Sequence, residues 1–122
     1  MIRKKISNYK DLVVWQKSIS LNIEIYKATK HFPKEELYGL VSQIRRSAIS
    51  ISSNIAEGYC RGRKTELKRF LKIAYASAAE LETQLIISQK IGFLSLVQFN
   101  FLNNQLVEIL KMLSKMISNL YL

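Results

Sequence analysis

The feature that most constrains this chain is the scarcity of residues that interrupt helices. Pro33 is the only proline among 122 residues, and glycine occurs only at positions 39, 58, 62 and 92. Between these breakers apolar residues recur every three or four positions, and no segment shows the strict apolar–polar alternation of a half-buried strand. The pattern predicts an all-α chain built from long helices.

Local signals bound the first two predicted helices. Helix one is predicted to begin near Asp11, whose carboxylate suits a first turn. It is predicted to end near His31, because Pro33 disfavours helical geometry in the residue before it. Pro33 then stands at the first turn of helix two. Gly58 is predicted to end helix two as the first residue beyond its C-cap.

Similar signals bound the other two helices. Helix three is predicted to begin with Thr65 as N-cap and to end before Gly92, which suits the left-handed conformation that follows many helices. Ser95 and Gln98 have the spacing of a capping box, so helix four is predicted to begin there and to continue to about Leu120. Connections this short make consecutive helices antiparallel neighbours.

Length and composition favour one domain. The chain has 122 residues, of which 48% are hydrophobic and 23% are charged, as in ordinary globular domains. We therefore predict a single antiparallel, up-down-up-down four-helix bundle over residues 1–122, in which residues 1–10 form a basic N-terminal arm.

Helix one differs from the others because its apolar residues form two stripes on nearly opposite faces. A four-helix bundle buries only one stripe of each helix well, and exposing the second stripe to water is unfavourable. Self-association is our preferred explanation; the alternative is that neighbouring helices or the arm cover the second stripe. One stripe comprises Leu12, Trp15, Ile19, Ile23 and Tyr26, and the other, assigned to the oligomer interface, comprises Val14, Leu21, Ile25 and Ala28.

The chain is strongly basic. It has 19 Lys and Arg residues against 9 Asp and Glu residues, which gives a formal charge of +10. Such an excess favours a polyanionic partner, namely nucleic acid, an anionic lipid or an acidic protein surface. The alternative is that the charge serves solubility alone.

Two groups of cations are the candidate nucleic-acid contacts. Around the start of helix three Glu66 is the only acid, and Tyr75 is expected beside Lys68 and Lys72, with Arg61 extending that strip. Cations next to an aromatic ring suit RNA backbone contacts and base stacking, whereas the alternative is a solvated helix face. The predicted nucleic-acid-binding residues are Arg61, Arg63, Lys64, Lys68, Arg69 and Lys72, with Arg3, Lys4, Lys5 and Lys10 in the arm.

Helix two also carries a polar stripe beside its apolar seam. Short side chains on such a stripe allow helices to approach closely, and they must be paired when buried. We interpret the stripe as a structural hydrogen-bond network in preference to a ligand site. Its members are Gln43, Ser47, Ser50, Asn54 and Glu57.

Catalytic and metal-binding signals are weak. His31 is the only histidine and Cys60 the only cysteine, so the sequence offers no nucleophile–base pair or metal-ligand cluster. We therefore expect no enzymatic activity, no metal and no cofactor. Since no apolar run approaches the length of a bilayer span and no export signal is visible, we also expect a cytoplasmic protein without membrane association.

Several segments together resemble a known family, the bacterial ribosomal RNA intervening-sequence proteins. The resemblance implies a four-helix bundle that forms a homo-oligomer, pentameric where the family is best understood, and no established enzyme activity. More distantly, the chain resembles bundle proteins that assist reverse transcriptases through basic surfaces. The family often has Ala and Gly where this chain has Ser47 and Ala76. The segments that carry the resemblance are Tyr9–Leu12 with Trp15, Gln43–Arg46, Ser50–Ile51, Asn54–Gly58, Phe70–Leu71, Ile73–Ala74, Ser77 and Glu80–Leu81.

The sequence therefore favours a non-enzymatic, homo-oligomeric module that binds nucleic acid, RNA in preference to DNA, mainly through phosphates. The alternative is a scaffold for a protein partner, in which the positive charge serves solubility or docking to an acidic surface.

Overall fold

The computed structural model describes residues 8–120. Within this range the chain forms four α-helices and two short 3-10 turns, and it contains no strand. The turns are Tyr9–Asp11 and Lys34–Glu36; the helices are α1 (Val13–Thr29), α2 (Leu40–Cys60), α3 (Lys64–Lys90) and α4 (Leu96–Ser118).

Each helix runs antiparallel to its two neighbours, which confirms the predicted up-down bundle. Contacts join α1 to α2, α2 to α3, α3 to α4 and α4 to α1, whereas the diagonal pairs make none between the described backbones. The apolar faces of all four helices meet in one core. Its fully buried large side chains are Leu21, Ile25, Ile44, Ile51, Ile55, Leu71, Leu81, Leu85, Leu102, Leu106, Ile109 and Leu113.

The turn between α3 and α4 forms as predicted. Gly92 has φ of +88°, and its N–H donates to the Gln89 carbonyl while the Phe93 N–H donates to the Ser88 carbonyl. These two bonds complete the Schellman motif that ends many helices. Ser95 Oγ accepts from the Gln98 N–H at 3.1 Å, and Gln98 Oε1 accepts from the Ser95 N–H at 2.9 Å, so the capping box is present.

The prediction that Gly58 ends helix two is wrong. Helix α2 continues to Cys60, and Gly62, with φ of +75°, provides the left-handed residue beyond the C-cap. Gly58 is instead buried where α2 approaches α3, and a Cβ at this position would lie 2.6 Å from Phe70 Cβ. Gly58 is therefore required for close packing of the two helices rather than for chain reversal.

The predicted starts of helices two and three also need correction. Pro33 precedes a single 3-10 turn, and the non-helical backbone of Gly39 (φ −113°, ψ −109°) delays α2 until Leu40. Arg63 is extended and acts as the N-cap of α3, so Thr65 already lies inside that helix. In both places the non-helical backbone conformation of one residue, and not the capping signal of a nearby side chain, determines where the helix begins.

The stripe of helix one assigned to the oligomer interface belongs to the core instead. Val14, Leu21 and Ile25 are at most 1% exposed, and Ala28 packs partly buried against the same core. The assignment was wrong because two opposite stripes of similar apolarity do not reveal which one faces inward. Of the other stripe, Leu12 and Trp15 also pack against the core, whereas Ile23 and Tyr26 are exposed.

The exposed residues of that stripe of α1 lie beside Ile49 of α2, and together they form an exposed apolar face. Ile23 is 52% exposed, Ile49 of α2 is 44% exposed, and Tyr26 is 38% exposed. With Ile19 they line a shallow groove of about 530 Å³. We call these four residues the α1–α2 apolar face.

Candidate nucleic-acid interface

The bundle topology brings the described basic segments to one end of the molecule. In an up-down bundle the start of α1, the end of α2, the start of α3 and the end of α4 share that end. The turn that contains Lys10 contacts both α1 and α2, and Lys68 near the start of α3 reaches Leu120 beyond α4. The predicted cations of helix three and Lys10 therefore lie at the same end.

Two of the predicted cations form a compact, internally paired cluster around Phe70. Arg61 donates to Glu57 at 2.8 Å, and Arg69 donates to Glu66 at 3.2 Å. Each guanidinium carbon lies 5.1 Å from the centre of the buried Phe70 ring, a distance suited to cation–π attraction. The hydrogen bond that Arg61 donates to the Glu57 carboxylate raises the pKa of Arg61 above its ordinary value.

This pairing corrects the expectation that Arg61 extends the strip of Lys68, Lys72 and Tyr75. Arg61 lies against Phe70 on the α2 side of α3, whereas Lys68 and Tyr75 lie on the side that faces α4. Arg61 is the C-cap residue of α2, and its side chain pairs with Glu57 one turn earlier in that helix. Arg61 and Arg69 are thus separated from Lys68, which lies on the other side of α3.

Arg63, Lys64 and Lys72 are exposed, and none of them is ion-paired within residues 8–120. Arg63 and Lys64 occupy the corner between α2 and α3. Lys72 follows two turns into α3 on its outer surface. Exposed cations without an ion pair are available to an external anion, and we call these three residues the basic corner.

The groove between α3 and α4 contains cations of α4 that the sequence did not reveal as part of the site. A groove of about 430 Å³ between the two helices is lined by Tyr75 of α3 and by Lys111 and Lys115 of α4. Lys68 lies at its end and donates to the Leu120 carbonyl at 3.4 Å. The spacing of Lys111 and Lys115, four residues apart, placed them on one face of helix four, but nothing local linked that face to Tyr75.

Of the predicted arm, Lys10 lies within the described residues. Lys10 is exposed, its Nζ lies 5.9 Å from the Tyr9 ring centre, and its carbonyl accepts from Gln16 at 2.8 Å. The predicted contacts Arg3, Lys4 and Lys5 lie outside the described residues.

The polar stripe of α2 makes hydrogen bonds to α3, as a structural network would. Ser47 Oγ donates to Glu80 at 2.6 Å, and the hydroxyls of Ser50 and Ser77 lie 2.9 Å apart. Asn54 continues the chain of contacts by donating to the Ser50 hydroxyl and carbonyl.

The outer members of the stripe behave differently. Gln43 is exposed at the edge of the network, and Glu57 pairs with Arg61 instead of joining it. No group of His, Cys, Asp and Glu able to hold a metal occurs among residues 8–120, where both His31 and Cys60 are exposed. None of the helices in this range is long and apolar enough to cross a bilayer.

Comparison with known proteins supplies the family. The model of the 23S rRNA-intervening sequence protein family matches residues 10–115, which include all four helices apart from the last turn of α4. The chain belongs to this family. The matched range contains the segments that carry the resemblance in sequence, apart from Tyr9.

A solved structure resembles this intervening-sequence protein. The chain is similar to the crystal structure of a protein with unknown function from the S23 ribosomal protein family of Bacteroides thetaiotaomicron, with a TM-score of 0.78 and 29% sequence identity. The alignment covers 86% of this chain and 98% of the other. No curated protein matches the chain.

Proposed function

We propose that this intervening-sequence protein is a non-enzymatic, homo-oligomeric module that binds structured RNA, mainly through phosphates. The observation that carries the proposal is the gathering of exposed cations at one end of the bundle, of which the basic corner lacks ion pairs within the described residues. The family description, which refers to ribosomal RNA, supports RNA as the polyanion.

The basic corner suits backbone contact. Arg63, Lys64 and Lys72 are long, exposed cationic side chains at and just after the turn between α2 and α3, and such side chains are the usual contacts to phosphate oxygens. Phosphate contacts hold the register of a protein on nucleic acid but carry little sequence information. The proposal therefore predicts steep salt dependence and weak sequence preference.

Self-association is part of the proposal. The α1–α2 apolar face leaves Ile23 and Ile49 half exposed, which is unfavourable in water and is relieved when a second copy covers it. We propose a closed ring, a pentamer by resemblance to the family. Repetition of the basic end around such a ring makes individually weak phosphate contacts effective together.

The test is RNA binding by the nuclease-treated protein across a salt series, with an RNA hairpin and a DNA duplex of equal phosphate number as probes. The variant Arg63→Gln/Lys64→Gln/Lys72→Gln removes the basic corner. Its affinity for the hairpin is expected to fall, and the slope of log K against log salt is expected to become shallower by about 0.9 for each lost phosphate contact.

The matched control is Lys34→Gln/Lys90→Gln/Lys30→Gln, which removes three exposed cations from the opposite end of the bundle. It is expected to retain the slope of the wild-type protein. If the wild-type protein binds neither probe near physiological salt, the RNA-binding proposal is wrong, and a protein scaffold becomes the better hypothesis. Stoichiometric recovery of one protein after nuclease treatment would then support that alternative.

A further inference from the structure

The groove between α3 and α4 combines charge with an accessible aromatic ring. Tyr75 is 40% exposed in its wall, and Lys111 and Lys115 line the opposite side. Ser114 and Ser118 lie between and beyond these lysines with their hydroxyl groups. Lys68 and Lys72 continue the positive surface on α3, where Lys72 lies one turn from both Lys68 and Tyr75.

No acid neutralises these lysines among the described residues. Glu66 pairs with Arg69 on the α2 side of α3, and Glu108 pairs with Lys17 of α1 at 2.9 Å. Glu82, on the same side of α3 as Tyr75, is seven residues further along, about 10 Å along the helix axis. The groove therefore presents concentrated positive charge directly beside the Tyr75 ring.

We infer that this groove binds a single-stranded segment of RNA, with one unpaired base stacked on Tyr75 and the flanking phosphates held by Lys68, Lys111 and Lys115. This inference rests on the proposed function and adds the class of RNA structure that the protein recognises. The bound RNA would then be a loop, bulge or end of a folded RNA, while the basic corner contacts its helical part.

The chemistry distinguishes this ligand from a duplex. A base in a duplex is stacked on both faces, so only an unpaired base offers a face to a tyrosine ring. An anion that has no base binds through the lysines alone, because it has no ring to stack on Tyr75. Part of the charge also has a structural explanation, since Lys68 and Lys115 complement the C-terminal dipole of α4.

The experiment compares three probes of equal phosphate number: an oligouridylate, the same backbone without bases, and a fully paired RNA duplex. Tyr75→Ala is expected to weaken binding of the oligouridylate about tenfold, with an unchanged salt slope, and to leave the other two probes unaffected. Tyr75→Phe is expected to retain the wild-type affinity, because the ring and not the hydroxyl stacks on the base.

Substitution of the lysines is expected to change both the affinity and its salt dependence. Lys111→Gln/Lys115→Gln should weaken binding of both single-stranded probes and reduce the salt slope by about 1.4, which corresponds to two phosphate contacts on a single strand. The control Lys34→Gln/Lys90→Gln should leave both unchanged. Denaturant unfolding of each variant shows whether loss of the dipole contacts has altered the fold.

Different results would contradict the inference about the groove and the proposed function. If Tyr75→Ala weakens all three probes equally, or none of them, no base stacks on Tyr75 and the inference is wrong. In that case wild-type binding that depends on the basic corner would still support the proposed function. If the wild-type protein binds none of the probes, both are wrong.

Discussion

At the scale of the residue, Gly58 sets the distance between α2 and α3. Ala favours helices over Gly by about 1 kcal/mol, so propensity alone predicts that Gly58→Ala stabilises the protein. The added Cβ, however, would lie 2.6 Å from Phe70 Cβ, an atom that no rotamer change can move. We expect Gly58→Ala to lower the free energy of unfolding in urea by about 1–3 kcal/mol.

The control for this prediction is Ser53→Ala, an exposed position of the same helix. It is expected to change the free energy of unfolding by no more than a few tenths of a kcal/mol, in the stabilising direction. A Gly58→Ala variant as stable as Ser53→Ala would show that the two helices do not approach this closely.

At the scale of the element, the start of α4 depends on its capping box. Ser95→Ala removes the acceptor of the Gln98 N–H and leaves that amide to water. We expect a loss of about 1 kcal/mol in the free energy of unfolding, and faster amide hydrogen exchange confined to the first turn of α4. Asn104→Ala, at an exposed position of the same helix, should cause neither change; equal effects of the two substitutions would contradict a capping role.

The helix ends show which parts of the fold can be predicted from sequence. Gly92 and the Ser95–Gln98 pair act through residues a few positions away, so local spacing identifies them. Gly58 and Gly62 look alike in sequence, and only the approach of Phe70, brought close by tertiary packing, separates a packing glycine from a helix-ending one. Local signals alone therefore placed the end of α2 wrongly.

The same distinction applies to the candidate site. The cations at the start of helix three were found because they are neighbours in sequence. The contributions of Lys111 and Lys115 were missed because they reach Tyr75 only through the antiparallel contact of α3 and α4. Likewise, the periodicity of helix one reveals two stripes, but the choice of Val14, Leu21 and Ile25 for the core depends on the other three helices.

At the scale of the whole molecule, the arrangement separates two kinds of surface. The basic corner lies at one end of the bundle, with the groove of Lys111 and Lys115 leading away from that end, whereas the α1–α2 apolar face runs along the side of the bundle between two helices. A ring closed through the side faces would leave the basic ends of all subunits free on one rim. Assembly and RNA binding are then separable by mutation, although avidity links their strength.

That separation yields the last prediction. Ile23→Asp/Ile49→Asp places two carboxylates on the α1–α2 apolar face, at residues 52% and 44% exposed, so the monomer fold tolerates them while a covered interface does not. The mass measured by light scattering should fall from a multiple of 14.1 kDa, fivefold for a pentamer, to that of one chain, with an unchanged circular dichroism spectrum.

The control Val97→Asp, at a residue 80% exposed near the start of α4, should leave the oligomer intact. The monomeric variant should bind an RNA hairpin about 10²-fold more weakly than the wild-type oligomer, because each basic end then acts alone. If Ile23→Asp/Ile49→Asp retains the wild-type mass, the interface lies elsewhere on the bundle. A monomer that binds RNA as tightly as the oligomer would mean instead that one basic end is sufficient.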